Sequence, residues 1–405
     1  MGILRNGLTP ALFAALILIQ GCGGGDSSSS SAATAGTPAG PNVQPISVDA
    51  GLGGTVNLAF TSVTLCAPGS GVCQTIDNVL IDTGSSGLRI IASALSASLS
   101  LPQQVDAKGD PVVECAQFVD GYTWGPVKLA DLKISGEQAN SLPIQIVGDS
   151  RFPAVPSRCS ATGPSKNSAA EMRANGILGL AIFRQDCGTA CVLSSRPGIY
   201  YSCPSSGCQP AAIPLALQLQ HPVSMFARDN NGLIVDLPAV PAGGAARLAG
   251  TLVFGIGTQA NNAMGTATAI GVDTATAYFT TALNGTTYSA SFIDSGSNAF
   301  FFADAGMPVC TDPTVAGFYC PAAAKNLSAI IEGRNGKSAS VNFSVANAVT
   351  LMASNPGFAA FGNLGAPQFI ANSFDWGLPF FYGRKVYTAI DGASTPAGPG
   401  PYVAF

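Results

Sequence analysis

Two short segments of this 405-residue chain are near copies of each other. Val79-Leu80-Ile81-Asp82-Thr83-Gly84-Ser85-Ser86 is echoed by Ser291-Phe292-Ile293-Asp294-Ser295-Gly296-Ser297-Asn298, and the two aspartates stand 212 residues apart. Each copy is an apolar run of the kind that forms a buried strand, ending in small polar turn residues. A single copy would be an ordinary turn. Two copies half a chain apart point to one duplicated unit per half. A fold built that way brings the two Asp loops together across a pseudo-two-fold axis.

That geometry carries chemistry. Two carboxylates a few ångströms apart do not both ionise easily, so one pKa rises and the pair shares a proton. The ionised member takes a proton from water while the protonated member donates one to a carbonyl oxygen, which provides a general base and a general acid from identical side chains. Asp82 and Asp294 are therefore the candidate catalytic residues. Gly84 and Gly296 leave room for close backbone approach. The hydroxyls of Thr83 and Ser295 are placed to cross-link the loops, and those of Ser85 and Ser297 to orient the outer carboxylate oxygens. This chemistry calls for no cofactor and no metal.

The rest of the chain reads as short β-type runs between turns, such as Ser62-Val-Thr-Leu, Val127-Lys-Leu-Ala-Asp-Leu-Lys-Ile, Thr251-Leu-Val-Phe and Val386-Tyr-Thr-Ala-Ile. With 48 Gly, 28 Pro and only 10% charged residues, the composition suits an all-β exported protein and not a helical bundle. Helical candidates are few and short: Pro214-Leu-Ala-Leu-Gln-Leu, and a turn at Asn372-Ser-Phe-Asp-Trp. The Cys-rich segment 185–212 has no period and reads as a loop insertion. A net charge of -4 with no Lys/Arg cluster excludes nucleic acid as a partner on electrostatic grounds.

Arg5, the apolar run Leu8 to Ile19 and Ile19-Gln20-Gly21-Cys22 form a lipoprotein signal with Cys22 as the lipidated residue. Residues 1–22 are thus a signal peptide and 23–45 a flexible linker, with an N-terminal lobe at 46–245 and a C-terminal lobe at 246–405. The expected location is the bacterial cell envelope, anchored by lipid, with the outer membrane favoured by resemblance to lipoprotein sorting. Removing Cys22 leaves ten cysteines, and an even number in an oxidising compartment predicts disulfides. Cys66/Cys73, Cys187/Cys191, Cys203/Cys208 and Cys310/Cys320 are close in sequence, with Cys115 and Cys159 left over; other connectivities stay open. Zinc on Cys187, Cys191, Cys203 and Cys208 is the weaker alternative. Ser85 or Ser297 as a nucleophile would need a histidine base, and His221, the only histidine, sits beside Pro222 and reads as structural.

Beyond the Asp motifs, the chain resembles the pepsin-like aspartic peptidases. That family supports each Asp loop with a later hydrophobic-hydrophobic-Gly segment. Asn175-Gly176-Ile177-Leu178-Gly179-Leu180-Ala181 looks like the first, and Trp376-Gly377-Leu378-Pro379-Phe380-Phe381 running to Val386–Asp391 is similar to the second. Gly250-Thr251-Leu252-Val253-Phe254-Gly255-Ile256-Gly257 resembles the strand that opens the second lobe. The likeness covers about residues 50–392. It implies an all-β, two-lobed fold with few short helices, and an endopeptidase whose cleft binds a peptide or protein substrate. Two positions depart from the family. Arg89 stands where pepsins carry a Trp, and Phe118 where they carry the flap Tyr, with Tyr122 and Trp124 as other residues of the expected flap. The alternatives are a catalytically inactive binding or inhibitor module on the same fold, and a structural envelope lipoprotein.

Overall fold

The computed structural model describes residues 40–405. Cys22, the signal segment and most of the expected linker lie outside the described residues. Strands make up 41% and helices 11%, which places the protein in the all-β class. The longest helix among the described residues is the seven-residue Ala348–Ser354. One sheet of 15 strands draws on both halves of the chain, a second of seven strands comes from the second half alone, and a two-stranded ribbon completes the set.

The duplication visible in the Asp motifs is repeated in the strand topology. In the first half, the strand Cys73–Asp82 runs parallel to Gly176–Leu180, with Val79 opposite Gly176 and Asp82 opposite Gly179. The other edge of Gly176–Leu180 is antiparallel to Ser86–Ile91, which in turn lies parallel to Glu137–Val147. In the second half, Thr286–Ile293 is parallel to Asp375–Trp376, the latter is antiparallel to Phe300–Phe301, and that strand is parallel to Gly365–Ala366. The four-strand order and directions are the same in both. Each Asp thus leaves the end of a strand, and the chain returns one strand over, straddling the supporting segment.

Burial explains why these residues accept that arrangement. Gly176–Leu180 and Ser86–Ile91 are buried at every position, as interior strands flanked on both edges and covered on both faces should be. Val79, Ile81, Leu178 and Leu180 of the first half share one core with Ile293, Phe300, Trp376 and Phe380 of the second. Trp376 stacks on Phe374 at 4.1 Å and meets Phe380 edge-on at 5.4 Å. Its indole N–H is satisfied by the Thr281 hydroxyl at 3.0 Å. Both Asp-bearing strands are therefore anchored in the same apolar mass.

Three sequence expectations change. The first strand, Val43–Val48, begins inside the segment assigned to the 23–45 linker, and it pairs antiparallel with Leu248–Phe254, so the chain crosses the expected 245/246 boundary as continuous sheet. Pro and Gly neighbours mark its first three residues as linker, but hydrogen bonding to a distant strand outweighs local composition. The Cys-rich segment is not a bare loop. It contains the helix Thr189–Leu193, and its strand Tyr200–Ser202 extends the sheet beside Val112–Phe118 with Tyr200 and Tyr201 buried. Of the Pro214 helix only the 3-10 turn Leu215–Leu217 forms.

Five disulfides form among the described residues: Cys66–Cys73, Cys115–Cys159, Cys187–Cys191, Cys203–Cys208 and Cys310–Cys320. The four sulfurs that a zinc site would have needed are bonded to one another in pairs.

Candidate active site

Asp82 is the last residue of its strand, and Asp294 follows directly on Thr286–Ile293. The two loops meet. Gly84 shows how closely: a Cβ added there would lie 2.7 Å from Cγ of Asp294, and one added at Gly296 would lie 2.8 Å from Oδ1 of Asp82. Each glycine leaves the space that the opposite carboxylate fills. The second pair of supporting glycines acts from beneath, since a Cβ on Gly179 would sit 2.7 Å from the Gly87 carbonyl oxygen and one on Gly377 would sit 2.2 Å from that of Ala299.

The hydrogen bonds repeat with two-fold symmetry. Gly84 N donates to Oδ1 of Asp82 and Gly296 N to Oδ1 of Asp294, both at 2.8 Å. The Ser85 hydroxyl donates to Oδ2 of Asp82, and the Ser297 hydroxyl to Oδ2 of Asp294 at 2.8 Å. Between the loops, Thr83 N donates to the Ser295 hydroxyl at 3.1 Å, and Ser295 N to the Thr83 hydroxyl at 2.9 Å. Each hydroxyl then donates onward across the interface, Ser295 to the Ile81 carbonyl at 2.8 Å and Thr83 to the Ile293 carbonyl at 3.5 Å. Thr83 and Ser295 are buried, so these bonds are sheltered from water.

Burial, then the neighbouring Asp82 and Asp375 carboxyls, hold the Asp294 carboxyl well above the ordinary carboxylate range. The pair is built to keep a proton. None of the ion pairs among the described residues uses Asp82, Asp294 or Asp375. Gly84 is exposed and Ser85 half-buried, so the site opens to solvent on that side.

Arg89 stays out of this centre. It lies buried in an ion pair with Glu114 at 2.5 Å, with Asp186 at 3.6 Å, and its guanidinium donates to the Ser86 carbonyl at 3.0 Å. Tyr200 donates to Asp186 at 2.6 Å. This buried cluster ties the strand that follows Asp82 to the hairpin formed by Val112–Phe118 and Gly121–Ile134. Phe118, half-buried at the hairpin end, lies under the Arg89 guanidinium at 5.7 Å from the ring centroid. The two positions that depart from the pepsin pattern are thus contact partners. Tyr122 and Trp124 sit on the same hairpin but are buried in a cluster with Cys115, Cys159 and Tyr201, and Trp124 donates its N–H to the Phe152 carbonyl at 2.9 Å.

His221 is fully buried, and both ring nitrogens lack a hydrogen-bond partner. Burial pushes its pKa down to about 4, and no hydrogen bond joins it to Ser85 or Ser297. Their hydroxyls are given to Asp82 and Asp294 instead, which removes the serine-nucleophile alternative.

Two residues at this site escaped sequence reasoning. Asn57, in a left-handed conformation at φ 56°, donates to the carbonyls of Asn298 and Phe361 at 2.9 Å and accepts from Tyr382, bracing the second Asp loop from the first half of the chain. Asp375 lies buried beside the dyad. An acid inside an otherwise apolar run next to Trp-Gly was the available signal.

Residues 38–405 match a family described as a protein of unknown function, DUF3443. The chain belongs to the DUF3443 family. No curated protein matches it. No helix among the described residues is long and apolar enough to cross a membrane.

Proposed function

We propose that this DUF3443 protein is an aspartic-type endopeptidase with the two-lobed architecture of the pepsin-like enzymes, held at the bacterial envelope through lipid on Cys22. The observation that carries the reading is the reciprocal bonding of Thr83 and Ser295, which holds Asp82 and Asp294 face to face with each carboxylate filled into the space above the other loop's glycine. With Asp294 keeping its proton, the pair retains one negative charge. That charge draws a proton from a water lodged between the carboxyls as the water attacks the peptide carbonyl carbon. The retained proton passes to the carbonyl oxygen, and the resulting tetrahedral diol collapses when the leaving nitrogen is protonated. Ser85 and Ser297 keep the outer oxygens fixed, so the inner ones face the water. No covalent intermediate is needed.

A second reading has one observation behind it. The Arg89–Phe118 contact occupies the place of the Trp–Tyr pair that steadies the flap in pepsins, and a rearranged flap suits a binding or inhibitor module. Two adjoining acids, each held in place by a backbone N–H and a serine hydroxyl, favour catalysis over binding alone.

The test is cleavage of a diverse peptide library by the full-length protein in detergent from pH 3 to 8, with pepstatin and Asp294→Asn as controls. The expected result is cleavage that falls at least about a hundredfold in Asp294→Asn, the scale of a lost general acid–base group. A folded wild type that cuts nothing at any pH would overturn the proposal.

A further inference from the structure

Asp375 is only 5% exposed, its Oδ1 has no hydrogen-bond partner, and no cation among the described residues pairs with it. An orphaned buried acid is costly and calls for a reason. Its neighbours supply one. Directly opposite residues of adjacent strands project to the same sheet face, and Asp375 stands opposite Phe292 on one side and Phe301 on the other. The alternate positions, Ile293, Phe300 and Trp376, point into the main core. Asp375 therefore faces the other way, toward the dyad, where it lies close enough to Asp82, Asp294 and Ser297 for Asp82 to push its pKa up, Ser297 to pull it down, and Asp375 itself to raise that of Asp294. Aromatic rings extend this face outward. Half-buried Tyr278 stacks on Phe292 at 6.0 Å, and Phe369, 65% exposed, packs on Phe301 at 4.8 Å. A carboxyl with a free oxygen thus lies between two aromatic pairs, one of which reaches the surface.

We propose that Asp375 is the base of a subsite beside Asp294 that takes a lysine or arginine side chain of the bound peptide. The inference rests on the reading that the cleft binds peptides. The aliphatic stem of such a side chain lies along the aromatic rings, and its ammonium or guanidinium meets the Asp375 carboxyl, which has no cation partner of its own. Burial keeps the free Asp375 carboxyl well above the ordinary carboxylate range. An incoming cation supplies the counter-charge that lets it ionise, so the desolvated acid is stabilised only when a basic residue is present. A neutral side chain of the same length leaves the oxygen orphaned.

The experiment uses full-length Asp82→Asn protein as a non-cutting binder. Ten-residue peptides carrying Lys, Arg, Gln or norleucine at each position in turn are titrated by fluorescence anisotropy. At one position Lys and Arg are expected to bind about tenfold or more tighter than norleucine, the scale of one charge-assisted hydrogen bond. The preference should vanish in Asp82→Asn/Asp375→Asn, with folding checked by circular dichroism. The Lys-against-norleucine comparison is made with Asp375 in place, so it stands even if the double variant fails to fold. Equal binding of Lys and norleucine, a preference that survives Asp375→Asn, or no peptide binding at all overturns the inference. If the wild type cuts peptides without regard to basic residues, the peptidase reading stands and the subsite falls. If it cuts nothing but Asp82→Asn shows the preference, the subsite stands in a binding groove and the peptidase reading falls.

Discussion

Histidine 221 offers a sharp test, because it is the only imidazole in the chain. It is buried at the start of the short turn Pro222–Met225, and burial holds its pKa to about 4 against the ordinary 6.5. The unfolded chain therefore binds a proton between those values that the folded chain refuses. Stability from keeping this ring neutral is present above pH 6.5 and is lost as pH falls toward 4. A displacement of this size amounts to about 3 kcal/mol between neutral pH and pH 4, at about 1.4 kcal/mol per pH unit less the part still untitrated at pH 4. His221→Leu loses packing to the same degree at every pH but has no ring to protonate. The difference in unfolding free energy between wild type and variant, measured by urea denaturation from pH 7.5 to 4, should therefore shift by about 3 kcal/mol in the variant's favour on acidification. Other titrating groups cancel in that difference. A difference independent of pH, or a lone imidazole NMR resonance titrating near 6.5 in the folded protein, would refute the reasoning.

The cross-linked loops make further claims. Thr83→Val leaves the Ser295 N–H without its acceptor and should cost about 1–3 kcal/mol of stability, as should Ser295→Ala at Thr83 N; in a double-mutant cycle the two should couple by about 0.5 kcal/mol or more, and strict additivity would contradict the reciprocal bonding. Gly296→Ala places a methyl group 2.8 Å from Oδ1 of Asp82 and should lower cleavage about a hundredfold while leaving far-ultraviolet circular dichroism unchanged. The Cys115–Cys159 bridge spans 44 residues, so Cys115→Ala/Cys159→Ala should destabilise by about 4 kcal/mol in guanidinium unfolding, and an unshifted midpoint would show that the bridge does not constrain the unfolded chain.

Much of the site could be read from local sequence because its parts are local. An apolar run into Asp-Thr-Gly-Ser specifies a strand and its turn, and each motif supplies its own Gly N–H and Ser hydroxyl to its own Asp. The pairing of the close cysteines is local in the same sense. What escaped reading was non-local. Residues 43–45, the start of Val43–Val48, looked like linker because the strand's partner, Leu248–Phe254, lies in the other half of the chain. Tyr200–Ser202 showed no period because three residues suffice to extend a sheet edge that already exists. Nothing local could assign partners to Arg89, since Glu114 and Asp186 arrive from separate segments. Trp124, a candidate for the flap, is instead spent in packing against Tyr201, 5.1 Å away.

Sequence alone determined the all-β class, the duplication and the identity of Asp82 and Asp294, because strand periodicity, turn chemistry and a repeated motif are written in neighbouring residues. Tertiary structure alone decided that the two loops bond reciprocally, that His221 is a buried neutral ring, and that Asp375 stands unpaired beside the dyad. Those facts depend on which distant segments meet and on how much water is excluded where they do. A carboxyl in an apolar run looks the same on paper whether it faces solvent, a cation or another acid, and its chemistry follows from the neighbour it is given.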